Sequence, residues 1–190
     1  MPTFNAATGT YVYLPGEESE FRMEFADPDS WYHPRPRYEN YKVLGNDRNN
    51  VIEGNHGRNV INGGAGNDLL NGGAGNDTLI GGAGDDTFLF DTRLNSKTNV
   101  DVIKDFNVRH DTIRLAHLIF KGTPKTAFDH LDAKAFWTGA AAHDQDDRII
   151  YNPANGALSY DPDGDGPAKA IKFAILSKHL KLTADQFEIF

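Results

Sequence analysis

Carboxylates recur at a fixed spacing in the middle of the chain. Asp68, Asp77 and Asp86 stand nine residues apart, and each closes a hexapeptide rich in glycine. The three hexapeptides are Gly63, Gly64, Ala65, Gly66, Asn67, Asp68; then Gly72, Gly73, Ala74, Gly75, Asn76, Asp77; then Gly81, Gly82, Ala83, Gly84, Asp85, Asp86. Asn50 and Asn59 hold the same phase upstream. Turns of this kind offer main-chain carbonyl oxygens beside the side-chain carboxylates. Such an all-oxygen set suits Ca²⁺, which takes six to eight oxygens at about 2.3–2.6 Å. Mg²⁺ fits less well, because it demands a tight octahedron and keeps its waters. No sulfur or histidine set accompanies the repeat to draw zinc.

The elements that must position these donors follow from the same period. Rows of nine residues from Gly45 read GNDRNNVIE, GNHGRNVIN, GGAGNDLLN, GGAGNDTLI and GGAGDDTFL. The last three fit G-G-x-G-x-D-x-U-x, with U a large apolar residue, and the first two are degenerate. The first column is Gly45, Gly54, Gly63, Gly72 and Gly81, as expected for positive φ and close backbone approach. The eighth column, Ile52, Ile61, Leu70, Leu79 and Phe88, becomes a stripe one residue wide once rows stack. Each row is therefore a turn of six residues and a strand of three. Two rows make one coil of a right-handed parallel β-roll, so turns of equal parity face each other. Asp68 then stacks with Asp86, Asn59 with Asp77, and Asn50 with Asp68. The pairing predicts the tightest site at Asp68 and Asp86, and weaker ones at the Asn50 and Asn59 rows. It predicts about three to five ions in all. A flexible Gly/Asn linker would show no register between three columns.

Composition is consistent with this. The chain has 190 residues, a formal net charge of −8 and 19 glycines, most of them inside the repeat. A net-acidic chain is repelled by phosphate backbones, which argues against nucleic acid as a partner. With no cysteine, there is no disulfide framework, and bound metal is the natural substitute. No apolar run approaches the 18 residues of a membrane span. The first residues, MPTFNAATGTYVYLPGEESE, lack the basic and apolar regions of a Sec signal.

The nonapeptides resemble those of the RTX family, secreted proteins with hemolysin-type calcium-binding repeats. Beyond the repeat, DDTFLFD at 85–91 and VDVIKDFNVRHDTIRLAHL at 100–118 resemble the segment that closes the roll in serralysin-type metalloproteases. The matching positions are Asp101, Ile103, Asp105, Phe106, Asp111, Ile113 and Leu115, and the resemblance implies that Asp101, Asp105 and Asp111 complete a calcium site. DRIIYNPANGALSYDPDGDG at 147–166 is similar to the C-terminal hairpins of that family. The resemblance spans roughly residues 40 to 190. The final Phe187-Glu188-Ile189-Phe190 is similar to the ends of type I secretion substrates. Taken together, the resemblance implies a Gram-negative protein exported unfolded by a type I apparatus, which folds on extracellular Ca²⁺.

Other clusters read more simply. Asp161-Pro-Asp163-Gly-Asp165-Gly166 copies the first half of an EF-hand loop, but Lys172 stands where the bidentate Glu belongs. It reads as a turn between strands at 157–160 and 168–174. Asp144, Asp146 and Asp147 read as a solvated acidic loop. No H-E-x-x-H and no G-x-S-x-G occurs, so neither a serralysin protease nor an RTX lipase centre is expected.

The expected fold is all-β. Residues 1–44 form a cap or recognition segment, 45–89 the roll, and 90–190 a C-terminal antiparallel sandwich or meander carrying the export signal. Strands are also expected at 88–91, 102–105, 112–115, 148–151 and 187–190, with helical turns near 127–131 and 183–186. The aromatics of the first segment, with Arg35 and Arg37, suit self-association or a glycan or protein partner. The expected function is a secreted, non-catalytic calcium-binding protein, at the matrix, the cell surface or a host. The alternatives are a self-assembling structural protein and the export module of a larger secreted enzyme.

Overall fold

The computed structural model describes residues 3–5, 10–12, 40 and 42–190. The aromatics expected to form a recognition surface at residues 13–41 lie outside the described residues, as does the expected binding role of Arg35 and Arg37. What is described of the first segment is a hairpin, β1 (Thr3–Asn5) and β2 (Thr10–Val12). β2 pairs in parallel with β3 (Lys42–Leu44), and so continues a sheet of the roll at its N-terminal end.

The nine-residue period folds as two parallel ladders. One sheet stacks β3, β5 (Val60–Ala65) and β7 (Thr78–Ala83). The other stacks β4 (Val51–Glu53), β6 (Leu69–Asn71) and β8 (Thr87–Phe90). Partners are two rows apart, as Val51 with Leu69 and Leu69 with Thr87. A chain that turns every nine residues must alternate sheets, and this alternation places turns of equal parity over one another. β3 precedes Gly45 yet sits in the ladder, so the strand stack begins one row upstream of the glycine repeat.

Two local features differ from the simple row. β5 and β7 run for six residues rather than three, because Gly64 and Ala65 pair in register with Gly82 and Ala83. Positive φ occurs in the second and fourth columns, for example Gly64 at 106° and Gly84 at 138°, and not in the first. The first-column glycines answer to space instead. A Cβ on Gly45 would collide with the carbonyl of Gly63 in the next coil and with Asn50 Oδ1. Coils packed this closely tolerate no side chain there.

The core starts as a single file. Val43, Ile61, Leu79 and Ile103 from one sheet meet Ile52, Leu70, Phe88 and Ile113 from the other, all essentially inaccessible. Past residue 90 both sheets continue without a break. β9 (Asp101–Ile103) and β10 (Thr112–Leu115) extend them in parallel. β14 (Ile171–Ile175), β13 (Ala157–Tyr160) and β12 (Ile149–Asn152) follow β9 as the antiparallel meander. β11 (Phe136–Thr138) ends the larger sheet and β15 (Phe187–Ile189) the smaller one on the same, C-terminal side, each paired in parallel, and Phe136 packs on Phe187 at 5.3 Å. Thr183 caps a short 3-10 turn at Ala184–Gln186 through a capping box. The helical turn expected near 127–131 is absent: Asp129 there has φ 64°, Lys125 bridges to Leu131 within the segment, and His130 bridges to Glu188 of β15.

The meander thickens the core with rings. Phe120 packs edge-on to Phe173 at 5.0 Å and to Tyr160 at 5.5 Å, and Phe90 packs on Phe173 at 5.1 Å. These rings anchor the C-terminal sheets on the last coil of the roll. Phe120→Ala removes the ring shared by two of these contacts. It is expected to lower unfolding stability in saturating Ca²⁺ by about 3–5 kcal/mol, measured by chemical denaturation.

Candidate calcium sites in the stacked turns

Each stack of turns carries a ladder of carboxylates. The main-chain N–H of Asn50 donates to Asp68 Oδ1 at 2.7 Å, and that of Asp68 donates to Asp86 Oδ1 at 2.9 Å. Asp86 in turn donates to Asp111 Oδ1 at 3.1 Å. In the other stack Asn59 donates to Asp77 Oδ1 at 2.7 Å, and Asp77 to Asp101 Oδ1 at 3.0 Å. Parallel pairing every 18 residues causes this, since it sets each sixth-column side chain beneath the amide of the coil before. The ladder outlasts the nonapeptides because β9 and β10 keep the pairing after the inserted loops.

One oxygen of each repeat aspartate is thereby occupied, and the other is not. Oδ2 of Asp68, Asp77 and Asp86 is buried and has no hydrogen-bond partner. These residues are only 1–2% exposed. A buried anionic oxygen without a partner is costly. Burial, and then the charge of Asp86, pushes the Asp68 carboxyl up to about 7. Asp77 is raised by burial and by Asp101, Asp101 by burial, and Asp86 and Asp111 mainly by burial. A divalent cation beside the orphaned oxygens would reverse that penalty. The donors present are carboxylates and turn carbonyls, so the set fits Ca²⁺ by its chemistry.

The carbonyls of Gly63, Gly72 and Gly81 face the first-column glycine of the coil before. Those of Gly64 and Gly66 face Gly82 and Gly84 across the same stack. Two other carbonyls already accept a bond: Gly73 from the Thr92 hydroxyl and Ala83 from the Gly66 amide. Ala65 and Ala74 donate their amides to Asn46 and Asn55 of the degenerate rows. Gly75 donates to Asn99, which fixes the 91–99 loop on its turn.

Asn50 and Asn59 behave differently from the aspartates. Asn50 Oδ1 accepts from the Asn46 amide at 2.9 Å, and its Nδ2 donates to Asn46 Oδ1 at 3.1 Å. Asn59 repeats both bonds with Asn55, at 2.8 and 3.1 Å. These two side chains close their own turns, each Oδ1 accepting one main-chain amide and keeping a second lone pair, so the weak ligand role expected of them is left to a single neutral oxygen per row. Asn46 and Asn55 are the residues sequence reasoning passed over. The signal was there: the second column is Asn where the sixth is Asn, and Gly where the sixth is Asp.

The remaining acids divide. Asp105 is exposed and spends both oxygens on main-chain amides, Oδ1 on Gly81 at 3.0 Å and Oδ2 on Gly82 at 2.9 Å. Asp85 is exposed and points to His110 Nδ1 at 2.8 Å. A cleft of about 390 Å³ opens beside Asn50, Asp68 and Asp85 on this flank. In the 161–166 loop, positive φ falls on Gly164 at 70° and not on Gly166, so its backbone does not follow an EF-hand.

A parallel β-roll with carboxylate-ended turns is the architecture of a calcium-binding β-roll protein. Residues 44–79 and 65–91 match the model of the RTX calcium-binding nonapeptide repeat, so this part of the chain carries RTX repeats. Most of the chain is similar in fold to the solution structure of the AlgE6R3 subunit from the Azotobacter vinelandii mannuronan C5-epimerase. That likeness has a TM-score of 0.54 and 26% identity, covering 80% of this chain and 78% of that one. No curated protein matches the chain.

The raised aspartate values fix a sign. An Asp whose folded value lies above its ordinary one binds more protons folded than unfolded. The metal-free roll therefore loses stability as pH rises from about 4 to about 7. In chelator, lowering pH from about 8 to about 5 is expected to raise the folded fraction, read by far-UV circular dichroism. Asp68→Asn should stabilise the metal-free form while weakening Ca²⁺ binding tenfold or more, about 1.4 kcal/mol. Asn50→Ala should leave the number of bound ions unchanged in calorimetry, and Asp86→Ala should reduce it.

Proposed function

We propose that this chain is a secreted, non-catalytic protein in which extracellular Ca²⁺ completes folding after type I export. The sites lie between turns at Asp68 with Asp86 and at Asp77 with Asp101, with Asp111 ending the first stack. The observation that carries the reading is the orphaned Oδ2 on three consecutive repeat aspartates. Low cytosolic Ca²⁺ leaves those charges unneutralised, which favours an open chain able to pass a channel. Outside, ions bind the folded form alone and draw the equilibrium to it. Residues 1–44 serve as the cap at the first coil, and 90–190 as the sandwich that closes the last one.

Circular dichroism during a Ca²⁺ titration, with Mg²⁺ as control, tests this directly. A cooperative gain of strand signal with Ca²⁺ and none with equal Mg²⁺ is expected. A chain equally folded in chelator at neutral pH would sink the folding role. The likeness to a subunit of an epimerase supports one second reading, in which the roll is the non-catalytic module of a larger secreted enzyme acting on a uronan. On that reading immobilised mannuronan retards the Ca²⁺-loaded chain; on the first it does not.

A further inference from the structure

A second group of metal-ligating side chains lies far along the sequence from the turns. His143, Asp144 and Asp147 bring ligand atoms within 4.8 Å of one another. They sit in the loop between β11 and β12, where a solvated acidic loop was expected. Asp147 does not fit that expectation, being 1% exposed. Its Oδ2 accepts from the His143 amide at 2.7 Å, from His143 Nδ1 at 2.7 Å and from the Asp144 amide at 3.3 Å. A carboxylate partner on Nδ1 keeps the ring proton there and leaves the Nε2 lone pair facing outward.

The ring is held from a second direction. Trp137 of β11 stacks on the imidazole with centroids 3.7 Å apart and planes 15° apart. Nε2 stands 3.4 Å from Asp144 Oδ2, and both side chains are about half exposed. Two ligands about 2.0–2.1 Å from one tetrahedral ion lie roughly 3.3–3.4 Å apart, so this contact, which is also that of a His–carboxylate ion pair, has the span of one edge of a zinc-type coordination shell. The 161–166 loop docks on the same place: Asp165 donates its amide to the Asp144 carbonyl, and a Cβ on Gly164 would collide with that carbonyl. Asp163 Oδ1 in this docked loop is buried without a partner. The Asp147 hydrogen bond raises the His143 value, and the charges of Asp144 and Asp165 add to it. The same negative field attracts a cation.

We infer that His143 Nε2 and Asp144 Oδ2 form a surface site for a first-row transition ion of the zinc, nickel or copper class, separate from the calcium roll. Asp147 and Trp137 position the imidazole, and water fills the open coordination positions. A nitrogen donor with one carboxylate selects such ions over Ca²⁺, which prefers oxygen alone.

Trp137 supplies the readout. The chain has 2 tryptophans, so a Trp31→Phe background isolates it. In saturating Ca²⁺ at neutral pH, Ni²⁺ is expected to quench Trp137 emission saturably, and Zn²⁺ to restore it by displacement. His143→Ala should abolish the quenching with an unchanged circular dichroism spectrum. Asp147→Asn should weaken it about 10–100-fold, as loss of an orienting carboxylate does. No quenching in the parent, or quenching unaltered by His143→Ala, overturns the inference and leaves the cluster as a loop clasp.

Discussion

Parallel pairing every 18 residues stacks like charges in a column and buries them there. Each repeat aspartate spends one oxygen on the amide of the coil before and has nothing in the protein for the other. The hydrophobic stripe cannot carry this alone. It is one residue wide, and a buried carboxylate oxygen without a partner is costly. The middle of the roll therefore depends on what neutralises the column, a proton or a divalent cation.

The ends of the column are handled by the protein itself. Upstream, the Asn46–Asn50 and Asn55–Asn59 pairs close their turns with neutral amides. Downstream, Asp105 clasps the amides of Gly81 and Gly82, and Asn99 takes that of Gly75. The single-file core widens into the Phe90, Phe120, Phe173 and Tyr160 cluster, which covers the apolar end of the last coil. The buried carboxylate column thus lies between two protein-closed ends, as a solenoid with capped termini requires.

Much of this was legible because a repeat converts position into geometry. Three columns in register gave the parity of stacking, the identity of the core stripe and the turn carboxylates. The degenerate rows are less legible: the bonds between the sixth-column Asn and the second-column Asn of the same turn show only once the turn is folded. The first-column glycines answer to clash with a neighbouring coil and not to positive φ, and inter-coil distance is something no single row contains. β3 escaped notice because Val43 keeps the apolar phase without the glycine that marks the other rows.

The sequence by itself determined the period, the two ladders, the oxygen-only chemistry of the turns and the all-β class. These follow from local spacing alone. Tertiary structure decided which oxygens are spent and which are orphaned, because that depends on amides 18 to 25 residues away. It also decided that Asp111 ends the Asp86 column, that Asp147 is buried, and that the 143–147 and 161–166 loops meet. Those outcomes rest on how inserted loops fold back onto the sheets, and side-chain spacing along the chain carries no record of it.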